Sequence, residues 1–360
     1  MTLIGQRLIN QRIAGERLAT PAEIVRWLGA VQAQDYHQCL WAVGSRLPTP
    51  SLAAVEAAIA DGSILRTWPM RGTIHFVPPE DARWMLKLCG ERLLAMDARR
   101  LGQLELSYAD IEQTYTWIQA ALSGGKRMTR GDLLDLIERN GISTKGGRGY
   151  HILWHSAQSG LICLGPMQDK EQTFALLDDW APQQRALSTD EALAELARRY
   201  VVSHAPVTVY DFARWTGMTI TEARKGLEGA AGDLVKEKID GVEYWQPASP
   251  LPPVDTDESV YLLAGFDEYF IGYKDREAIV APEFATYIVP GANGIFKPML
   301  VIGGRVVGTW ARTVKKKGVT ITISPFAAID GLAERVSAPA REYAEYLGVP
   351  LGEMKVESQT

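Results

Sequence analysis

The sequence is poor in cysteine, in long apolar runs and in excess charge of either sign, and each shortage excludes a class of protein. Three cysteines (Cys39, Cys89 and Cys163), odd in number and far apart, provide neither a disulfide framework nor a CxxC metal pair. A reducing cytoplasm is therefore the expected compartment. Apolar stretches are broken by charge before they reach the roughly 18 to 20 residues that a bilayer helix needs, so no membrane span is expected. A net charge of −5 argues against indiscriminate binding to polyanions, which relies on many Lys and Arg neutralising phosphates. The charge is unevenly spread: residues 1–100 hold 12 Lys/Arg against 9 Asp/Glu, and residues 201–300 hold 8 against 15. The front is mildly basic and the middle acidic. Low-complexity tracts are also absent. With 46% hydrophobic residues over 360 positions, the chain has material for several cores. The opening run MTLIGQRLINQRIAGERL carries Arg7, Arg12 and Arg17, as a transit peptide would, but its apolar spacing is that of a docking helix.

What is present is a pattern repeated three times. Segments opening on Thr20, Thr129 and Thr208 continue as amphipathic helices, each preceded by a helical stretch (3–14, 108–123 and 188–203) and followed by another helix candidate. Each set ends in a two-strand signal, the third with an Asp240-Gly241 turn between alternating segments. Helix, helix, helix, hairpin is the winged-helix order. The expected fold class is therefore α+β: three tandem winged-helix units at 1–100, 101–185 and 186–250. After the Pro-rich ASPLPPVDTDES, a small β domain, sheet or barrel, is expected at 257–328, with Gly303-Gly304 as a hairpin turn. A helix interrupted near Pro339 and a tail complete the reading at 329–360.

Gln32 and Gln34 stand two residues apart at the end of the second helix. In extended backbone both amides point to one side, whereas in a continued helix they diverge, so the pair converges only if the helix stops there. An amide has donors and acceptor lone pairs to hold a water or a substrate, although glutamines at helix ends are also commonly just solvated. Around the first wing, RTWPMRGTIHF offers Arg66, Arg71 and His75, which either contact DNA or pack in the protein. Lys145, Arg148 and Tyr150 open the third helix of the second unit, where cations, backbone amides and an aromatic suit a phosphate. Lys315, Lys316 and Lys317 read as a hairpin tip able to follow a phosphate backbone, or as a solvated turn. His151 and His155 at i, i+4 invite a zinc reading, but no Glu follows the first His and the helix is otherwise apolar, so no metal is expected. The third helix of the first unit, SLAAVEAAIADG, has no cation and makes a poor reader of base edges.

QAQ at 32–34, RTWPMRGTIHFVPPED, FDEYFIGYKDR and FKPMLVIGGRVVGTW together resemble the winged-helix family of azinomycin-resistance DNA glycosylases and their crosslink-unhooking relatives. The similarity spans most of the chain. It implies three winged helices and a C-terminal β barrel clamped around double-stranded DNA, with a Gln-X-Gln or Gln-X-Asp motif at the catalytic centre. Gln32 and Gln34 match the first form, and Asp35 lies one residue beyond the carboxylate slot of the second. The function so implied is a monofunctional glycosylase that acts on bulky or crosslinked N7-alkylpurines without a cofactor, as a monomer in the cytoplasm near the nucleoid. The QAQ segment has no lysine to support a Schiff-base step. Two other readings compete with it: a non-catalytic winged-helix regulator, and an interaction scaffold built on the acidic middle.

Overall fold

The computed structural model describes residues 2–292 and 294–357. It divides into two compact units, one of residues up to 55, 193–215 and from 219 onward, the other of residues 56–192 and 216–218.

The first unit begins with the helices Leu3–Asn10 and Pro21–Leu28. Thr20 and Glu23 close a reciprocal capping box around Pro21, which fixes where the second helix starts. Gly29, at φ +79°, stops it by taking a left-handed conformation that other residues resist. The short strand β1 (Val31–Gln32) follows, then the helix Tyr36–Gly44, capped by Asp35.

In the second unit β2 (Leu65–Met70) and β3 (Thr73–Val77) form a hairpin. Arg71 and Gly72, both at positive φ, make the tight turn that matches the twist of its strands. The helices Tyr108–Leu122, Arg130–Arg139 and Arg148–Gln158 come next, with β4 (Met128–Thr129) between the first two. The hairpin of β5 (Ile162–Gln168) and β6 (Glu171–Leu176) completes the set. Within this unit the strands lie in the order β3-β2-β5-β6-β4. Trp68, Ile118, Ile137, Ile152 and Leu164 form the core between helices and sheet.

The chain then gives a third helical set, Thr189–His204, Val209–Thr216 and Ile220–Gly229, and the hairpin β7 (Leu234–Ile239) to β8 (Val242–Pro247), turning on Asp240-Gly241 as expected. Capping boxes recur at Ser107/Asp110, Thr129/Asp132 and Thr219/Glu222. In the same manner, Glu191 accepts from the Ser188 backbone and Asp211 from that of Thr208.

After the linker, β9 (Val260–Leu263), β10 (Met299–Ile302), β11 (Arg305–Lys315), β12 (Gly318–Pro325) and β13 (Leu351–Val356) form one sheet in the order β13-β12-β11-β10-β9. It is open among the described residues, with β9 and β13 at its edges, which corrects the expected barrel. The expected tail holds a strand: β13 pairs in parallel with β12, from Val319↔Leu351 to Ile323↔Val356. Its alternation is too polar to announce a strand, and its pairing is supplied entirely by β12. The last helical run is interrupted, at Val336 between the helices Leu332–Arg335 and Ser337–Tyr346, and Pro339 sits in the first turn of the second, where its missing N–H costs nothing. Leu8, Ile9, Tyr269, Phe270, Met299 and Val301 pack one face of the sheet onto the first helix. Among the described residues no helix is long and apolar enough to cross a membrane.

Candidate active site

Because the second helix stops at Gly29, the chain is extended at Gln32, and the two glutamine amides meet: Gln32 Nε2 donates to Gln34 Oε1 at 3.0 Å. Ala33 between them is fully buried, Gln32 is 9% exposed and Gln34 is exposed. One amide is thus anchored in the protein and holds the other at the surface. The contact uses a Gln32 donor and the Gln34 oxygen, so it leaves the Gln34 NH2 group and the Gln32 carbonyl oxygen as a donor and an acceptor that it does not itself engage. Asp35 is committed elsewhere, capping the next helix through Gln38 N at 3.1 Å.

Beneath this strand lies a polar layer within the same unit. Gln32 N–H donates to Glu268 Oε1 at 3.1 Å, and Trp215 Nε1 donates to Glu268 Oε2 at 2.9 Å. His204 Nε2 is 3.5 Å from the same oxygen. Neighbouring Asp267 is completely buried and takes a two-pronged contact from Arg46, at 2.8 and 3.0 Å. The loop that brings both carboxylates in is tight. At Gly265 a Cβ would stand 2.5 Å from the carbonyl oxygen of Phe296, and Gly265 N–H donates to Gln38 Oε1. Phe266 is held at φ +61°, a strained conformation for a bulky residue, with its ring edge-on to Phe296 at 5.2 Å. Glu268, His204 and Trp215 were missed; the available signal was a second acid, after Asp267, opening the otherwise apolar run EYFI.

A family model described as DNA glycosylase AlkZ-like matches residues 25–346, a span that includes Gln32, Gln34 and Glu268. The chain belongs to the AlkZ-like DNA glycosylase family. A curated relative, the interstrand DNA cross-link repair glycosylase of Streptomyces sahachiroi, is 26% identical over 95% of both chains. The solved structure of Streptomyces sahachiroi DNA glycosylase AlkZ has the same fold, with a TM-score of 0.82, 23% identity, and coverage of 99% of this chain and 98% of that one.

The other residues singled out in this AlkZ-like chain occupy different surroundings. Arg66 is 6% exposed and donates to Gln172 Oε1 at 2.5 Å; His75 is fully buried, with Nδ1 2.9 Å from Thr73 O and Nε2 3.3 Å from the half-buried Arg71. Lys145 and Tyr150 are exposed, whereas Arg148 turns back to the carbonyls of Ser143 and Leu104. Lys316 and Lys317 form the turn of the β11–β12 hairpin, beside Lys315, all three exposed.

His151 Nε2 binds Asp97 Oδ2 at 2.8 Å, and His155 Nδ1 lies 2.6 Å from the Tyr115 hydroxyl. Burial pushes Tyr115 up to about 12 and holds the His155 pKa below the usual imidazole value. Asp97 opposes the second shift and His151 adds to it. An unfolded imidazole therefore gains its proton near pH 6.5 while the folded one is still neutral, so unfolding takes up a proton and stability falls as pH drops below that value. Urea unfolding of His155→Gln is expected to show a smaller loss of stability between about pH 6.5 and 5 than wild type; an identical loss would place the titration elsewhere.

Proposed function

We propose that this chain hydrolyses the N-glycosidic bond of N7-alkylated purines in duplex DNA, unhooking interstrand crosslinks, with Gln32 and Gln34 as the catalytic pair. The observation that carries the reading is the contact between the two amides over a strand tied down by a buried carboxylate, in a chain whose relative is named a cross-link repair glycosylase. An N7-alkylguanine is cationic, so breaking its bond to C1′ sends the electron pair to the base, which leaves neutral. Water supplies hydroxyl to C1′ and its proton goes to solvent. Little acid catalysis is needed; what the protein provides is a placed water and fixed dipoles beside an oxocarbenium-like sugar.

The three helix-and-hairpin sets act as winged helices at 1–100, 101–185 and 186–250, gripping the duplex as a monomer. The exposed Lys145, Tyr150 and Lys315–Lys317 take the phosphates; Arg148 is tied to the Ser143 carbonyl in the segment that carries Lys145, and Arg66, Arg71 and His75 lie in the β2–β3 hairpin. Each phosphate contact releases counterions. Replacing Lys315, Lys316 and Lys317 by alanine is thus expected to weaken duplex binding and flatten the plot of log Kd against log salt by as much as about 3 units; an unchanged slope in a filter-binding titration would remove the hairpin from the interface.

The test of the function is incubation with duplexes that contain N7-methylguanine or a nitrogen-mustard crosslink, scoring released base and abasic sites. Release is expected from at least the crosslinked duplex. Tight binding with no release from either would favour a DNA-binding regulator, and no binding at low salt would favour a scaffold.

A further inference from the structure

Glu268 is 1% exposed. Taking a carboxylate out of water is costly unless donors satisfy it, and removing a donor afterwards leaves much of that cost standing. The donors here come from remote parts of the chain: the backbone N–H of Gln32 on one oxygen, and the Trp215 indole on the other, with His204 Nε2 3.5 Å away. His204 is itself fixed, its Nδ1 2.8 Å from Ser203 Oγ and its ring stacked on Tyr200 at 4.6 Å. Glu268 is fixed as well, because Asp267, locked to Arg46, caps its short helix by accepting from Tyr269 N.

The Gln32 end of this arrangement is the backbone from which the catalytic pair is hung. A shift at Gln32 moves its amide, and through the 3.0 Å contact moves Gln34 with it. We propose that Glu268 is a positioning residue that holds the backbone of Gln32 so that the two amides keep their register; this rests on the assignment of Gln32 and Gln34 to catalysis. Glu268 acts through the strand and not on the substrate.

The isosteric change Glu268→Gln isolates this role. A carboxylate accepts with both oxygens, whereas an amide must turn its NH2 either to the Gln32 N–H or to the Trp215 N–H. Trp215→Phe removes the second conflict, leaving the amide carbonyl available to Gln32. Single-turnover excision from a nitrogen-mustard crosslinked duplex, the Kd for that duplex, and the melting temperature are measured for Glu268→Gln, Trp215→Phe, the double variant and Gln32→Ala/Gln34→Ala. The expected result is a fall of about 10-fold or more in the excision rate of Glu268→Gln with Kd within about twofold of wild type, and a recovery of about threefold or more in the double variant. Full excision by Glu268→Gln, a parallel loss of binding and excision, or no recovery in the double variant would overturn the proposal. Should the glutamine double variant keep full excision, the catalytic assignment itself falls, whatever Glu268→Gln does.

Discussion

Excision by Gln34→Ala is expected to fall by about 100-fold or more, and by at least as much in the Gln32→Ala/Gln34→Ala protein, with duplex binding and thermal stability near wild type. The magnitude follows from what is lost. Gln34 is exposed, so its truncation removes a polar group from the site without opening a cavity, and the surrounding fold has no reason to move. Gln32 is nearly buried, and its loss would free Gln34 to adopt other rotamers, which spoils the preorganisation that makes an amide useful. Gln34→Glu provides a graded comparison: it can still accept from Gln32 Nε2 but has no NH2, so it retains more activity than Gln34→Ala if acceptance matters most. Burst-free single-turnover kinetics on a crosslinked duplex reads these rates directly. Equal rates for wild type and both alanine variants would exclude the pair.

Arg46→Met is expected to destabilise its unit by about 3–5 kcal/mol, the largest loss expected of any single change considered. The pair Arg46–Asp267 is 1% and 0% exposed, and besides the two contacts to Asp267 the guanidinium donates to the carbonyls of Gln11 at 2.8 Å and Ala42 at 2.5 Å. Removing the cation strands a buried carboxylate and two carbonyls. Removing both charges is different: Arg46→Met/Asp267→Leu is expected to be less destabilised than Arg46→Met alone, because the stranded charge is gone. Urea unfolding of the single and double variants decides this, and a loss below about 1 kcal/mol for Arg46→Met would mean that water reaches the site. Since Asp267 caps the helix that starts at Glu268, the single variant should also excise poorly.

The parts legible in the sequence were those with local causes. Thr or Ser before an acid at three residues marks the helix starts, and Asp240-Gly241 and Gly303-Gly304 mark turns whose positive φ values suit those residues. Gln32 and Gln34 were visible because their convergence depends only on where one helix stops. Glu268 was not: its role depends on Gln32 and Trp215, which are 236 and 53 residues distant, and no local pattern encodes those contacts. The same reason hid β13, whose strand character is conferred by β12, and made the sheet look closed, since whether two edge strands meet is a matter of twist and not of alternation. Arg66 and His75 could be read either as DNA contacts or as packed residues, because alternation alone does not tell which face of a hairpin a protein covers; both are buried.

The repeated capping boxes also bear on how anions are handled. The start of a helix carries about half a positive charge and unpaired N–H groups, which makes it a natural seat for phosphate. In this chain Glu23, Asp110, Asp132, Glu191, Asp211 and Glu222 already sit at six such starts and accept from the backbone there. Those macrodipoles are spent internally. A nucleic-acid backbone approaching them meets a carboxylate, so attraction falls to cationic side chains that can be screened, and affinity for the duplex should respond steeply to ionic strength even though the chain as a whole is acidic.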